Sequence, residues 1–175
     1  MPEFHAVTVC RLVANDWQIY RAIRLAMLQD SPLAFGGTHD QAARNDERVW
    51  KQRLTDNVVF LARVGRAPAG SATYSVFGVT EPGDCSLFGM WVDPRFRRAG
   101  VGRALVDAVL AQARAAGKAR LVLHVVADNF GARRLYERAG FLATGRSVPY
   151  PNDDRLTEVE MEFAVQGGLL ATFPA

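Results

Sequence analysis

Hydrophobic residues recur along the chain with two periods, one typical of strands and the other typical of helices. Alternating or continuous apolar runs predict seven strands, at residues 6–11, 58–64, 69–77, 86–92, 121–126, 141–148 and 156–163. Apolar residues three and four apart predict four helices, at residues 17–29, 40–54, 101–116 and 130–139. Because strand, helix and strand succeed one another between residues 86 and 126, we expect a parallel pair with a right-handed crossover.

The length and apolar content of the chain suit one domain. Its 175 residues, of which 49% are hydrophobic, can bury one substantial core. The strand at 121–126 is apolar on both faces apart from His124, which suits the centre of a sheet. We expect a single domain at residues 1–165 and a mobile tail at residues 166–175.

The charge of the chain does not indicate nucleic-acid binding. Lys and Arg number 21 against 18 Asp and Glu, a net charge of +3. No segment resembles a basic DNA-binding helix or an aromatic RNA motif, so we expect no nucleic-acid partner. The basic residues that cluster between Arg95 and Arg103 fit a phosphorylated small molecule better.

The cysteines and the apolar runs bear on the compartment. Cys10 and Cys85 lie far apart and lack the spacing of metal ligands, so we expect free thiols, a reducing compartment and no metal site. Neither a signal peptide nor an apolar run of membrane-spanning length is evident. We therefore expect a cytoplasmic protein without a membrane partner.

Residues 92–105 carry the most specific chemistry, because a strand ends there, a basic glycine turn follows and a helix begins. Gly100 and Gly102 lack a Cβ, so the main chain can approach an oxyanion closely. The new helix presents unpaired N–H groups and the positive end of its dipole. Full positive charges come from Arg97, Arg98 and Arg103. This combination predicts a phosphate site.

Two better-known phosphate loops do not fit this segment. A dinucleotide fingerprint needs a third glycine or alanine where this chain has Leu105. A Walker loop needs Lys followed by Ser or Thr, whereas Arg103 and Ala104 offer no hydroxyl for magnesium. A Gly-x-Gly turn also occurs where a strand simply leads into a helix, so that alternative stays open for the segment alone.

A second segment, residues 129–141, predicts an amphipathic helix. Its apolar face consists of Ala132, Leu135, Tyr136 and Ala139. Asn129 suits the N-cap position, and Gly140 suits the residue that follows the helix. Taken alone, the pattern is equally satisfied if Tyr136 is a half-buried core residue.

The two segments together resemble the acetyl-CoA-binding half of the GCN5-related N-acetyltransferase (GNAT) superfamily. The resemblance rests on the patterns Arg97-x-x-Gly100-x-Gly102 and Asn129-x-x-Ala132-x-x-Leu135-Tyr136-x-x-x-Gly140-Phe141, and it covers about residues 86–163. Residues 24–36 more loosely resemble the opening helix and loop of many bacterial members. The fold implied is of the α/β class: a mixed, largely antiparallel sheet of about seven strands with a splayed parallel pair at its centre and about four flanking helices.

The resemblance also implies an enzyme that moves an acetyl group from acetyl-CoA to a primary amine by direct transfer. In the family the pantetheine arm of the cofactor inserts between the splayed strands, and Gly89 is expected to mark the start of the splay. The residues implied in cofactor binding are Met90, Trp91 and Val92 on the strand, Arg97, Arg98, Ala99, Gly100, Val101, Gly102 and Arg103 around the pyrophosphate, and Asn129 beside the arm.

Two residues are implied in catalysis. Tyr136 matches the tyrosine of the family that protonates the leaving thiolate, and His124 lies where some relatives carry a glutamate base. Glu160 or water is the alternative base. Glu160 also shares a strand face with Glu158 and Glu162, and we interpret all three as a solvated acidic edge.

The acceptor and the assembly are less constrained by the sequence. Candidates to line an acceptor pocket are Phe35, Tyr74, Tyr150, Asp153 and Asp154. The amine itself could be a small molecule or a protein N-terminus, and a homodimer is left open. The alternative hypothesis is a non-catalytic module that binds acyl-CoA and acts as a sensor or interaction partner.

Overall fold

The computed structural model describes residues 6–79, 81–150 and 153–166. Seven strands form one sheet in the order β1-β2-β3-β4-β5-β7-β6. They are β1 (Val7–Arg11), β2 (Val58–Val64), β3 (Ala67–Ser75), β4 (Asp84–Val92), β5 (Arg120–Val126), β6 (Leu142–Tyr150) and β7 (Asp153–Ala164). Only the central neighbours β4 and β5 run parallel, and the other pairs are antiparallel. The predicted fold class and the parallel pair are confirmed.

The described residues form five α-helices instead of four. They are α1 (Trp17–Asp30), α2 (His39–Ala43), α3 (Glu47–Asp56), α4 (Val101–Ala115) and α5 (Phe130–Ala139). The single helix expected at residues 40–54 is wrong because two capping residues divide it. The Thr38 side chain accepts a hydrogen bond from the Gln41 N–H, and the Asp46 side chain accepts one from the Val49 N–H, so a helix begins after each.

The parallel pair separates along its length. β4 and β5 are in register only from Asp84 and Arg120 to Ser86 and Val122, although both strands continue beyond that point. Gly89 has a φ of +57°, and the pairing of β4 with β3 shifts register at the same place. A bulge of this kind bends a strand away from its neighbour. Gly89 therefore lies at an irregularity beyond the last pair of β4 with β5, and its role as the start of the splay stays a prediction.

Two hydrophobic clusters hold the helices on opposite faces of the sheet. One face packs against α4 and α5, where Leu105, Val106 and Val109 are completely buried. The other cluster joins α1 and α3 to the sheet around the fully buried Trp50. Each such side chain contributes about 1.5–3 kcal/mol to folding through its removal from water. The two helical layers hold the splayed strands β4 and β5 between them. The carboxyl ends of these two strands are left uncovered.

Most of the expected tail, residues 167–175, falls outside the described residues, and the single-domain organisation stays a prediction. Within the part of the chain that the structure describes, no helix combines the length and the apolar character needed to cross a membrane.

Candidate active site

A cleft of about 1360 Å³ opens where β4 and β5 diverge. Its walls come from α1, β4, the turn before α4, β5, α5 and β7. Of the residues singled out in the sequence, those that line it are Met90, Trp91, Val92, Arg97, Arg98, Gly100, Gly102, Arg103, His124, Asn129 and Tyr136. Ala99 and Val101 do not line it, and Val101, the first residue of α4, is buried in the core. One cavity thus brings together the two motifs that lie apart in the sequence.

The turn before α4 presents main-chain donors to one end of this cleft. Gly100 caps the helix with a φ of +83°, and Arg98 has a φ of +66°, a conformation that few residues other than glycine adopt. Among the described residues, no acceptor is found for the main-chain N–H groups of residues 98–103. Unpaired amides at the positive end of a helix dipole bind anions.

Gly102 lies close to the side chains that α5 and β4 send toward it. A Cβ at this position would lie 3.0 Å from Leu135 Cδ2 and 3.5 Å from Met90 Cε. Both of these side chains also line the cleft. A larger residue at position 102 would therefore push into the cavity beside the donor amides.

The three arginines of the motif differ in their partners. Arg97 donates to Asp30 Oδ2 at 2.6 Å and to the Val92 carbonyl at 3.0 Å. Arg103 pairs with Asp107 on the next turn of α4 and donates to the Arg138 carbonyl at the end of α5. Arg98, in contrast, is exposed and forms no ion pair with the described residues. Arg98 is the arginine most available to a phosphate.

The free edge of β4 supplies a second set of main-chain groups. At Trp91 and Val92 the strand pairs with β3 on one side, while β5 has already diverged on the other. The Trp91 side chain is buried on the α1 face and donates from Nε1 to Asp30 at 2.9 Å. Burial raises the pKa of Asp30, but hydrogen bonds from Trp91, Ser31 and Arg97 outweigh it and lower that pKa overall. Asp30 thereby anchors α1 to the strand that borders the cleft.

Tyr136 enters the cleft from α5. Its ring is buried against Phe141, with ring centroids 5.8 Å apart. No hydrogen bond joins its hydroxyl to a described residue, and burial raises its pKa well above the usual value of a phenol. The group is consequently a neutral O–H donor at physiological pH. Asn129 begins the same helix and accepts from the Ala132 N–H at 3.1 Å, as its predicted N-cap role requires.

His124 and Glu160 lie directly opposite each other on β5 and β7. His124 Nε2 is 3.7 Å from Glu160 Oε2. Glu160 is 7% exposed, and its Oε1 has no hydrogen-bond partner, although Arg146 Nη1 lies 3.8 Å away. The interpretation of Glu158, Glu160 and Glu162 as a solvated edge is wrong, because β6 covers β7 and makes it an inner strand. Glu158 also lines the cleft, and burial raises its pKa despite the opposing charge of His124.

The sequence profile described as the acetyltransferase (GNAT) family matches residues 23–141 of this chain. The chain belongs to the GNAT acetyltransferase family. Over 114 residues it is 35% identical to the ribosomal protein bS18-alanine N-acetyltransferase of Escherichia coli K12, a match that covers 65% of this chain and 69% of the relative. Over 64 residues it is 44% identical to the mycothiol acetyltransferase of Beutenbergia cavernae, covering 37% of this chain and 22% of that protein.

Solved structures of GNAT proteins share the fold. The ribosomal-protein-S18-alanine N-acetyltransferase of Escherichia coli has a TM-score of 0.65 at 22% identity and covers 97% of this chain and 100% of its own. A protein from Salmonella typhimurium, crystallised with its cofactor acetyl-CoA, has a TM-score of 0.69 at 19% identity and covers 94% and 97%. At these low sequence identities the structural likeness establishes the fold of this chain and does not identify the acceptor amine.

The other end of this GNAT cleft is walled by aromatic side chains and one arginine. Phe35 and Tyr150 line it as expected, together with Phe77, Phe88 and Arg24. Tyr74 does not, because it is buried in the core beside Cys85. Asp153 and Asp154 are not among the lining residues, and Asp153 pairs with Arg155 at 2.7 Å.

Arg24 could not have been assigned from the motifs, and Glu160 was named as an alternative base without its burial being foreseen. Arg24 lies in the opening helix, where the pattern indicates only an amphipathic face. Glu160 reaches the cleft because β7 inserts between β5 and β6. The position of Glu160 depends on the order of strands in the sheet, and the residues around Glu160 do not reveal that order.

Proposed function

We propose that this protein transfers the acetyl group of acetyl-CoA directly to a primary amine. The observation that supports this most strongly is the set of unpaired main-chain N–H groups at residues 98–103, which opens onto the same cleft as Tyr136. A diphosphate suits such a set of donors, and the free edge of β4 suits an extended arm that carries amide groups.

The residues that would hold acetyl-CoA divide by chemistry. The amides of residues 98–103 and the side chain of Arg98 would bind the pyrophosphate, with Arg97 and Arg103 as further positive charges around it. Main-chain groups of Met90, Trp91 and Val92 would pair with the pantetheine arm, and Asn129 would contact the arm from the other side. Acetyl-CoA supplies the thioester carbon that the amine attacks.

The reaction needs one proton donor and one proton acceptor, and we propose Tyr136 and His124 for these roles. As the new C–N bond forms and the C–S bond breaks, Tyr136 gives its proton to the departing sulfur. His124 takes a proton from the attacking nitrogen, directly or through a water. A preorganised amide of β4 faces the charge that develops on the thioester oxygen. No covalent enzyme intermediate is needed.

The buried carboxylate of Glu160 supports the assignment of His124. Glu160 Oε2 lies 3.7 Å from His124 Nε2 on the neighbouring strand, where it can fix the orientation of the imidazole. Glu160 is therefore proposed as a positioning residue for the base. How much the base contributes depends on the acceptor, because at pH 7 deprotonating an amine of pKa 10.4 costs about 4 to 5 kcal/mol and one of pKa 8 costs about 1 to 1.5 kcal/mol.

The amine can belong to a small molecule or to a protein N-terminus. The ribosomal-protein and mycothiol acetyltransferases named above represent these two kinds of acceptor among the relatives. A panel of amino acids, polyamines, aminoglycosides and short peptides, incubated with acetyl-CoA and assayed for free thiol, tests the proposal. Calorimetric titration with acetyl-CoA accompanies this assay. Tight binding of acetyl-CoA without release of the CoA thiol in the presence of any acceptor would favour the sensor hypothesis instead.

A further inference from the structure

Arg24 carries a positive charge that no carboxylate of the described residues neutralises. Its Nη1 donates to the Met27 thioether at 3.2 Å, and the guanidinium lies 5.6 Å from the centre of the Phe35 ring. Its Nε is buried without a hydrogen-bond partner. Burial lowers the pKa of Arg24 and, even so, an arginine stays charged at neutral pH.

This charge is costly where the protein alone surrounds it. A thioether is a weak acceptor, and a half-buried guanidinium loses hydration that neither sulfur nor an aromatic ring restores. Two other arginines of the cleft, Arg97 and Arg103, each pair with a carboxylate of the protein. Arg24 therefore lacks an anion that a bound molecule can supply.

The position of Arg24 limits which anion that is. Its Nη1 lies 3.7 Å from the point where a Cβ on Gly89 would sit, so the guanidinium faces the bulge of β4. In the proposed function the reacting carbonyl lies beside this bulge, whereas the pyrophosphate lies at residues 98–103. A group held by Arg24 is thus within a few atoms of the attacking nitrogen and distant from the cofactor phosphates.

We propose that Arg24 binds the carboxylate of the acceptor, and that the acceptor is a small molecule with a carboxylate close to its amine, as in an α-amino acid. This inference rests on the proposed function. Glu158, Glu160 and His124 line the same cleft and suit the amine, while Phe35, Phe77 and Phe88 offer an apolar wall for a side chain. A carboxylate on the acceptor offsets the charge of Arg24 throughout the reaction. The charge that develops on the thioester oxygen is transient and offsets it only while the bond changes occur.

The test compares amino acids with their amides, using L-phenylalanine, L-methionine and L-alanine as acceptors. The preference for acid over amide, as a ratio of kcat/KM, should fall about 10- to 100-fold in Arg24→Met, the range expected for a lost charge-assisted hydrogen bond. Because the ratio is compared between variants, the different amine pKa of acid and amide cancels. Arg24→Lys should recover part of the preference.

Arg48→Met is the matched control, since Arg48 is exposed on α3 and does not line the cleft. Binding of N-acetyl-L-phenylalanine and its amide in the presence of CoA gives the same discrimination without turnover. An equal loss for acid and amide in Arg24→Met would assign Arg24 to the oxyanion and overturn the proposal. The proposal would also be overturned if the wild-type enzyme acetylates other amines but neither acetylates nor binds these amino acids. Absence of thiol release from every amine would instead refute the transferase function itself.

Discussion

The two ends of the cleft are built by different means. At the proposed cofactor end, consecutive main-chain N–H groups of residues 98–103 are left without acceptors among the described residues, and side chains add only charge. At the acceptor end, single side chains converge from distant parts of the chain: Arg24 from α1, His124 from β5 and Glu160 from β7. The first end depends on backbone shape, whereas the second depends on how the sheet is ordered.

This difference decides what substitutions should do at each end. Except by proline, a main-chain donor cannot be removed by changing its own side chain, so the proposed cofactor end should be most sensitive to residues that block it. At the acceptor end each side chain can be removed singly, and a graded loss is expected. The following experiments test that contrast, beginning with the largest effect.

Gly102→Glu should abolish acetyl-CoA binding. Its Cβ would lie 3.0 Å from Leu135 Cδ2, and its carboxylate would bring negative charge to the amides that we propose bind the diphosphate. We expect the Kd from calorimetry to rise by about 100-fold or more, the equivalent of at least about 2.7 kcal/mol.

Ala111→Glu provides the control for this change, since it adds the same charge at an exposed position of the same helix. Its acetyl-CoA affinity should equal that of the wild type. If Gly102→Glu is folded by circular dichroism and still binds acetyl-CoA normally, the diphosphate is not held by this turn.

Tyr136→Phe should reduce kcat about 10²- to 10⁴-fold, the usual contribution of a general acid, and leave the Kd for acetyl-CoA unchanged. Burial raises the pKa of Tyr136, so the acid stays protonated and active at a pH where an ordinary phenol of pKa about 10 has begun to ionise. The kcat of the wild type should accordingly show no decline from this group up to about pH 10.

Tyr20→Phe is the matched control, because Tyr20 is equally buried on the opposite face of the sheet, against Trp50. It should retain full kcat. Wild-type turnover in Tyr136→Phe would remove Tyr136 from the mechanism and leave water as the proton donor.

The sequence predicted the turn before α4 and the N-cap of α5 because this information is local. Gly100 and Gly102 sit within one turn, and the N-cap at Asn129 is three residues from the N–H that it binds. Glu160 could not be placed in this way. Its burial follows from β7 lying between β5 and β6, an order of strands that no local pattern contains. The prediction that Tyr74 lines the acceptor pocket was wrong for the same reason, because packing decides which face of β3 is covered by α4.

His124→Gln should lower kcat/KM by about 10- to 100-fold at pH 7, with a smaller loss as the pH rises. At higher pH more of the amine is already neutral, so a base has less to contribute. Initial rates across pH 6 to 10 measure this effect. His39→Gln, on the exposed side of α2, should follow the wild-type profile. A His124→Gln loss that stays constant across this range would indicate a role in positioning and not in proton transfer.

The smallest effect is expected from the cysteines, which belong to neither end of the cleft. Burial raises the pKa of the Cys85 thiol to about 11, so at pH 8 only about one molecule in a thousand carries the nucleophilic thiolate. Cys10 is exposed. Iodoacetamide at pH 8 should therefore label Cys10 alone, as read by mass spectrometry of the native protein, and a Cys10→Ser variant so treated should keep its full rate. Loss of activity together with labelling of Cys85 would contradict direct transfer, because it would place a reactive thiol on the path of the acetyl group.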